Sequence, residues 1–413
     1  MLKPPSADTP ATAPTLILAP RTVASQGTGQ DSTILGLGLT ERAALAARRA
    51  SYGRPIALPA ANAVPGTAPF PGWQYLAKDL GGSTGMLVIA ASDILAETGW
   101  LKATASAKLN ATQWAAAPDR LALIPAMLIG AALSALDEEP RALSLAMAVD
   151  RLTQRLGAPS PLPPGIDPLV VTGPGDVRAA ERRLMRALVK DTDGFMAKHV
   201  ERPISLAISR LLAPTPVTPN QMTLISVAIG LLGAPFFLSS QAHWQTLGAL
   251  LFLAHSILDG CDGELARLKF MESRWGGILD FWGDNVVHSA IFACMALGWS
   301  EADGQAWPLL LGVAAVMGTL GSAGFVYWRV MRPKTGSGPL YTSVAAEPGK
   351  RFAQALDALS RRDFIYLVIA LALFGRADWF LLLTAFGAPI FFFLLVFLAA
   401  RERRAQAKVR QAI

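Results

Sequence analysis

DGCDGELARLKFMESRWGGILDFWGD, residues 259–284, sets four carboxylates, Asp259, Asp262, Asp280 and Asp284, among the most hydrophobic segments of the chain. An ionised carboxylate in or beside a bilayer is costly and marks a working site by default. Four together imply a strong positive charge supplied from outside the chain, most simply one or two bound divalent cations. On a helix, Asp259, Asp262, Gly263 and Ala266 fall on one face, and Asp280 and Asp284, four apart, share a face of the next helix. The two pairs then sit at adjoining ends of antiparallel neighbours, joined by a loop expected over residues 268–275. Four carboxylates on two facing helices suit two hard cations and leave positions open for phosphate oxygens. Gly260, Gly263, Gly276 and Gly277 remove side chains where a substrate must approach the backbone. Gly276 and Gly277 also lie near a helix N-terminus, a place suited to anions.

The surroundings of this run read as membrane. With 52% hydrophobic and 16% charged residues and a mean hydropathy of +0.38, the chain is too apolar for an ordinary soluble protein. Apolar segments cover 222–238, 246–269, 277–299, 307–328, 362–374 and 379–400, most of them near the roughly 20 residues that cross a bilayer. The expectation is six transmembrane helices; since only 375–378 separates the last two segments, they could instead form one re-entrant hairpin. With the N-terminus on the cytoplasmic side of the cell (inner) membrane, the inner loops hold Lys198, Arg202, Arg210, Arg267, Lys269, Arg274, Arg329, Arg332, Lys334, Lys350, Arg351, Arg361, Arg362, Arg401, Arg403 and Arg404. The outer loops hold Arg376 alone. Both termini and all four aspartates then face the cytoplasm. The net charge of +7 answers to anionic headgroups and not to nucleic acid. Cys261 and Cys294 fall inside predicted membrane helices, so no disulfide framework is expected. Residues 1–15 lack the pattern of a signal peptide.

Residues 1–190 differ in kind. Short apolar runs at 15–19, 86–91, 121–129 and 169–171 alternate with helix-like stretches such as 40–50 and 175–189, which predicts a soluble α/β domain with a largely parallel sheet. Residues 191–217 follow as a juxtamembrane amphipathic helix. Phe195, Met196, His199, Val200, Ile204, Ala207, Ile208, Leu211 and Leu212 recur on one side, with Lys198, Glu201, Arg202, Ser205 and Ser209 on the other. Thr218, Pro219 and Gln221 spell a capping box that starts the first membrane helix. The membrane domain is expected over 218–402, with a basic cytoplasmic tail at 403–413.

The run resembles the signature of the CDP-alcohol phosphatidyltransferase family, DxxDGxxAR, eight residues, GxxxDxxxD, with Asp259, Asp262, Gly263, Ala266, Arg267, Gly276, Asp280 and Asp284 in its fixed positions. The segment TPNQMT, residues 218–223, resembles that family's entry to its first membrane helix. The resemblance implies that Asp259, Asp262 and Asp280 bind two Mg2+ or Mn2+ ions and that Asp284 both touches the second metal and acts as general base. Gly263, Ala266, Arg267, Ser273 and Gly276 would surround the CDP moiety. The implied reaction is attack of an acceptor alcohol on the β-phosphorus of a CDP-alcohol donor with release of CMP, in phospholipid biosynthesis. A homodimer in the membrane is implied in the same way. Residues 15–20, TLILAP, and a strand ending at Asp93 are similar to the start and the metal-binding aspartate of sugar nucleotidyltransferases. Such domains precede the membrane domain in bifunctional enzymes that make CDP-inositol and condense it with inositol phosphate. Pro20, Arg21 and Thr22 stand where that family keeps glycines for cradling triphosphate, so the domain is expected to be inactive.

Simpler explanations compete. A structural ion cluster or a cation pathway could also use four aspartates, but a pathway spreads carboxylates across membrane depth, and these gather at one end. His288, one turn beyond Asp284, either orients that carboxylate or packs; Glu264 is a similar case. Arg329, Arg332, Lys334, Arg361 and Arg362 either bind an acceptor phosphate or serve topology. Trp275, Trp282, Trp299, Trp307, Trp328 and Trp379 read as interfacial anchors. Three functions follow: a phospholipid synthase using CDP-diacylglycerol, an enzyme joining a soluble CDP-polyol to a phosphorylated polyol or a lipid alcohol, and a non-catalytic scaffold or cation-handling protein. The acceptor is not legible in the sequence.

Overall fold

A computed structural model describes residues 12–21, 32–53, 55–58, 67, 70–71, 73–80, 84–137, 143–189, 194, 196–332 and 364–411, with side chains as far as Arg401 and without that of Ala77. Phe195, Lys334, Lys350, Arg351, Arg361 and Arg362 lie outside the described residues, as do the side chains of Arg403 and Arg404. The chain divides into two units, Met1–Leu184 and Met185–Ile413.

The first unit runs β1 (Thr15–Ala19), β2 (Thr33–Ile34), β3 (Leu37–Gly38), α1 (Leu39–Arg49), β4 (Ile56–Ala57), α2 (Trp73–Leu80), β5 (Leu87–Ala91), β6 (Ile94–Leu95), α3 (Thr98–Ala105), β7 (Ala115–Ala117), β8 (Leu121–Ile124), α4 (Ile129–Leu136), α5 (Leu145–Leu156), β9 (Leu169–Val170) and α6 (Pro174–Arg186). Its main sheet has the order β4-β1-β5-β8-β7. β1 and β5 are buried along their whole length, which is why both read as unbroken apolar runs and not as alternations. The sheet is mixed where a largely parallel one was expected. β4, β1 and β5 run parallel, but β8 is antiparallel to β5 and forms a hairpin with β7. The turn between β7 and β8 is tight, and Asp119 takes the left-handed conformation there (φ 59°), one that Asp tolerates better than most residues.

At the C-terminal ends of the two central strands, Arg21 and Asp93 form an ion pair of 3.1 Å. The N-terminus of α5 closes on the same edge, where the Leu145 amide donates to the Pro20 carbonyl at 2.8 Å.

The second unit holds α7 (Arg202–Leu212), α8 (Pro219–Gly233), α9 (Ala242–Leu268), α10 (Arg274–Asp303), α11 (Trp307–Val326), α12 (Phe364–Leu373) and α13 (Asp378–Gln411). The capping box at the start of α8 forms as spelled: the Gln221 amide donates to Thr218 Oγ1 and the Thr218 amide to Gln221 Oε1. α8 packs on α9 and α10, α11 on α10 and α13, and α12 on α9. Phe252, Val287, Ile291, Phe292, Val368 and Leu381 sit at the centre of the bundle.

Among the described residues, three stretches, Pro219–Leu238, Trp307–Met331 and Asp378–Arg401, are long and apolar enough to cross a membrane, against the six expected. α9 and α10, of 27 and 30 residues, have the length, but the carboxylates and their neighbours lower their hydropathy. α12 has only 10 residues. Large apolar side chains stand exposed in helical register on the outer faces, Leu310, Val313 and Met317 on α11 and Phe386, Ile390, Phe393 and Phe397 on α13. Such stripes are costly in water and at home in hydrocarbon.

α7 is turned opposite to the reading of an ordinary surface helix. Glu201, just before it, and Ser205 and Ser209 on it are buried, whereas Ile204 and Leu211 are 43% and 74% exposed. The cause is α9, which offers α7 a fully buried carboxylate at Glu264 that only polar side chains can satisfy.

Two predictions test the packing. A Cβ at Gly298 would lie 2.5 Å from the Phe237 carbonyl oxygen and 2.6 Å from that of Leu238, whereas one at Gly324 meets nothing within 4 Å. Thermal unfolding in detergent should therefore find Gly298→Ala destabilising by about 1–3 kcal/mol and Gly324→Ala neutral or stabilising by up to about 1 kcal/mol. In the first unit, burial raises the Asp93 pKa while Arg21 opposes the shift. A raised carboxyl contributes stability that is present below its unfolded value and lost as pH rises through the folded one. Arg21→Ala removes the opposing charge, so it should cost about 1–3 kcal/mol at pH 7 and clearly less at pH 4, read from melting curves at the two pH values.

Candidate active site

α9 carries Asp259, Asp262, Gly263, Ala266 and Arg267 on its last turns, and α10 carries Gly276, Asp280 and Asp284 on its first. The connection between them is residues 269–273, shorter than 268–275, because α9 continues to Leu268 and α10 begins at Arg274. Three local features hold this turn. Phe270 takes the left-handed conformation (φ 57°), Ser273 caps α10 by accepting from the Gly276 amide at 3.0 Å, and Lys269 Nζ donates to the Thr215 and Val217 carbonyls, each at 2.6 Å. The turn is thereby tied to the entry of α8.

The helices bring one ligand atom each of Asp259, Asp280 and Asp284 within 4.8 Å of one another. Asp262 completes the group, its charge acting on Asp280 together with those of Asp259 and Asp284. Asp259 and Asp262 are buried; Asp280 and Asp284 are half-buried. Several carboxylates this close repel one another strongly in a medium of low dielectric. Three oxygen donors converging on one point fit a hard divalent cation of the Mg2+ or Mn2+ kind.

Above the aspartates opens a cavity of about 650 Å3. Asp262, Gly263, Ala266, Arg267, Ser273, Gly276, Asp280, Asp284 and His288 all line it. Its polar end is completed by Asn220 and Thr223 of α8 and by Glu272. Two turns beyond Asp284 along α10 the lining becomes apolar, an arm walled by Phe292, Phe364 and Phe380, whose rings meet one another; Thr319, Ser322, Val326, Leu383, Thr384 and Phe391 also line the cavity. Gly276 is small for a reason: a Cβ there would come within 2.9 Å of Asn220 Oδ1 and 3.0 Å of Ser273 Oγ.

Around the aspartates stands a layer of polar partners that spacing did not disclose. Thr223 Oγ1 donates to Asp262 Oδ2 in a short hydrogen bond. His255 is 2% exposed; its Nδ1 donates to the Ser226 carbonyl at 2.9 Å and its Nε2 lies 3.4 Å from Asp284 Oδ1. His288, the histidine singled out by spacing, packs its ring against Phe252, Phe292 and Phe364. Glu264 accepts from Arg202 at 2.8 Å and from Ser205 Oγ at 2.7 Å, which joins α7 to the aspartate-bearing turns of α9. The signal for His255 was available, since it precedes Asp259 by one helical turn.

Comparisons with known proteins agree with this geometry. A profile described as CDP-alcohol phosphatidyltransferase matches residues 216–359. The chain is similar to a protein named bifunctional IPC transferase and DIPP synthase from Thermococcus kodakarensis, 40% identical over 127 residues, which are 30% of this chain and 28% of that protein. A protein of the same name from Archaeoglobus fulgidus is 42% identical over 123 residues, 30% of this chain and 24% of the relative. The chain thus spans about a quarter of the length of these bifunctional relatives. Archaetidylinositol phosphate synthase from Pyrococcus horikoshii is 31% identical over 153 residues, which are 37% of this chain and 73% of that protein. With the acidic run, the profile match and a relative covered over most of its length, the chain belongs to the CDP-alcohol phosphatidyltransferase family.

Proposed function

We propose that this protein transfers a substituted phosphate group from a CDP-alcohol to an acceptor alcohol with release of CMP, as a step of phospholipid biosynthesis. The observation that carries the reading is the convergence of Asp259, Asp280 and Asp284, with Asp262 beside them, at the polar end of one large cavity. Asp259, Asp262, Asp280 and Asp284 would hold two Mg2+ or Mn2+ ions, whose chemistry there is to neutralise charge on the diphosphate. Arg267 supplies a fixed positive charge to the same group. Gly263, Ala266 and Gly276 leave room for the nucleotide, and Ser273 offers a hydroxyl at the mouth. Asp284 accepts the proton of the acceptor hydroxyl as its oxygen bonds to the β-phosphorus and the bond to the CMP oxygen breaks. The proton is held on a carboxylate, and the leaving group departs as a stable monophosphate.

The apolar arm favours a substrate with a lipid portion, so that a phospholipid synthase using CDP-diacylglycerol is the leading reading. The names of the bifunctional relatives favour the second reading, a soluble CDP-polyol joined to a phosphorylated polyol or to a lipid alcohol. The remaining assignments rest on the sequence. Counting α9, α10 and α12 as spans gives six, with the basic loops, both termini and the aspartates on the cytoplasmic side of the inner membrane; a homodimer follows from family likeness. Residues 1–190 are read as a nucleotidyltransferase-like domain without activity, 191–217 as the juxtamembrane helix, 218–402 as the membrane domain and 403–413 as the tail. The ion pair of Arg21 with Asp93 supports the inactive reading, since the strand-end carboxylate already has a cation.

Membranes containing the full chain, given labelled CDP-diacylglycerol and CDP-inositol in parallel with Mn2+, should release CMP from at least one donor, and EDTA should stop it. Asp284→Asn should lower kcat by about 10²–10⁴-fold. CMP release from neither donor would leave the scaffold or cation-handling reading standing. A label that moves only from CDP-inositol would select the second reading.

A further inference from the structure

We infer that His255 is a positioning residue for Asp284, clamped from α8 so that its ring fixes the direction of that carboxylate; the inference rests on Asp284 serving as metal ligand and base. The ring is held on three sides. Nδ1 bonds the Ser226 carbonyl at 2.9 Å, which fixes Nδ1–H as the donor of that bond and turns Nε2 toward α10. Phe252 stacks on the ring, with an interplanar angle of 12° and centroids 6.2 Å apart. Gly230 of α8 lies against it so closely that a Cβ there would come within 3.0 Å of His255 Cγ and 2.6 Å of Val287 Cγ1. The helix approach that only glycine permits is therefore the one that presses the imidazole into place.

Nε2 then lies 3.4 Å from Asp284 Oδ1, a gap that a small carboxylate rotation closes to a hydrogen bond. With Nδ1–H given to the Ser226 carbonyl, that bond needs the ring's second N–H, at Nε2, as donor and the ionised Oδ1 as acceptor. It commits one oxygen of Asp284 to the histidine and leaves the other for the reaction side. Burial makes the arrangement rigid, since at 2% exposure water does not compete for Nε2. Thr223 of α8 bonds Asp262 of α9, and His255 of α9 faces Asp284 of α10, so each of these aspartates is met from the neighbouring helix. Partners of this kind around a metal site set ligand direction, and their loss costs about 10–100-fold in metal affinity or activity.

The test uses the purified full chain in detergent with two substitutions that divide the ring's contacts. His255→Asn places an amide where Nδ1 was, keeping the Ser226 bond and removing Nε2; His255→Gln reaches the place of Nε2. Mn2+ binding is followed by the electron paramagnetic resonance signal of the free ion, and CMP release gives kcat and KM. His255→Asn is expected to weaken Mn2+ binding or lower kcat by about 10–100-fold, with the donor KM little changed and the unfolding temperature that of the wild type. His255→Gln should regain at least part of the loss. Wild-type Mn2+ affinity and kcat in His255→Asn, while Asp284→Asn loses both, would overturn the inference and leave the proposed function intact. No Mn2+ bound by the wild-type protein would overturn both. A loss in His255→Asn that tracks a fall in unfolding temperature, with no rescue by His255→Gln, would make the histidine a packing residue and also overturn the inference.

Discussion

Mutual repulsion among four carboxylates at the end of an apolar helix bundle is the constraint on which the second unit is organised. Left to themselves, Asp259, Asp262, Asp280 and Asp284 would splay apart or take up protons, because the low dielectric around them magnifies every unfavourable pair. The fold resists the first outcome by covalent and polar means. The five-residue turn at 269–273 keeps α9 and α10 adjacent, Lys269 ties the turn to the chain entering α8, Thr223 reaches from α8 to Asp262, and His255 reaches from α9 toward Asp284. Glu264 adds a third buried acid to α9, and the bundle answers it with Arg202 and Ser205 from α7. A bound cation is the natural counterpart of this arrangement, since it converts a repulsive cluster into a coordinating one.

Much of this was legible in the chain because it depends on local periodicity. Asp280 and Asp284 are four apart, so any helix puts them on one face, and the Thr218–Gln221 capping box depends on four consecutive residues. β1 and β5 were visible as apolar runs for the same reason. What escaped depends on which element lies opposite. α7 has a polar and an apolar side in the sequence, but nothing in its own residues says which side meets the protein; Glu264, sixty residues later, decides that the polar side does. The parallel expectation for the sheet failed at β7 and β8, whose pairing rests on a tight turn around Asp119 and not on strand composition. His255 was passed over because a lone histidine in an apolar stretch is ordinary, and only the approach of α8 at Gly230 gives it a second polar neighbour. The apolar arm of the cavity is assembled from three helices and has no linear signature at all.

The two units also contrast in how they deal with a strand-end or helix-end carboxylate. In the first, Asp93 is met by a side chain of its own chain, Arg21, and the α5 N-terminus is met by the Pro20 carbonyl, so both charge-seeking features are satisfied internally. In the second, Thr223 bonds Asp262 and His255 faces Asp284, groups that direct a carboxylate at the mouth of a cavity and do not close it off as Arg21 closes off Asp93.

The cavity has one polar end and one apolar arm, and this asymmetry acts before any bond is made. An amphipathic occupant has one favourable way of lying in it. Reversed, its charged group would be stranded among Phe292, Phe364 and Phe380 at a cost of several kcal/mol, while its apolar portion faced the aspartates. The walls thus remove most of the rotational freedom of the occupant through solvation alone, with no specific contact needed to recognise its tail. Part of the entropy loss that a bimolecular reaction would otherwise meet at its transition state is taken at the moment of entry.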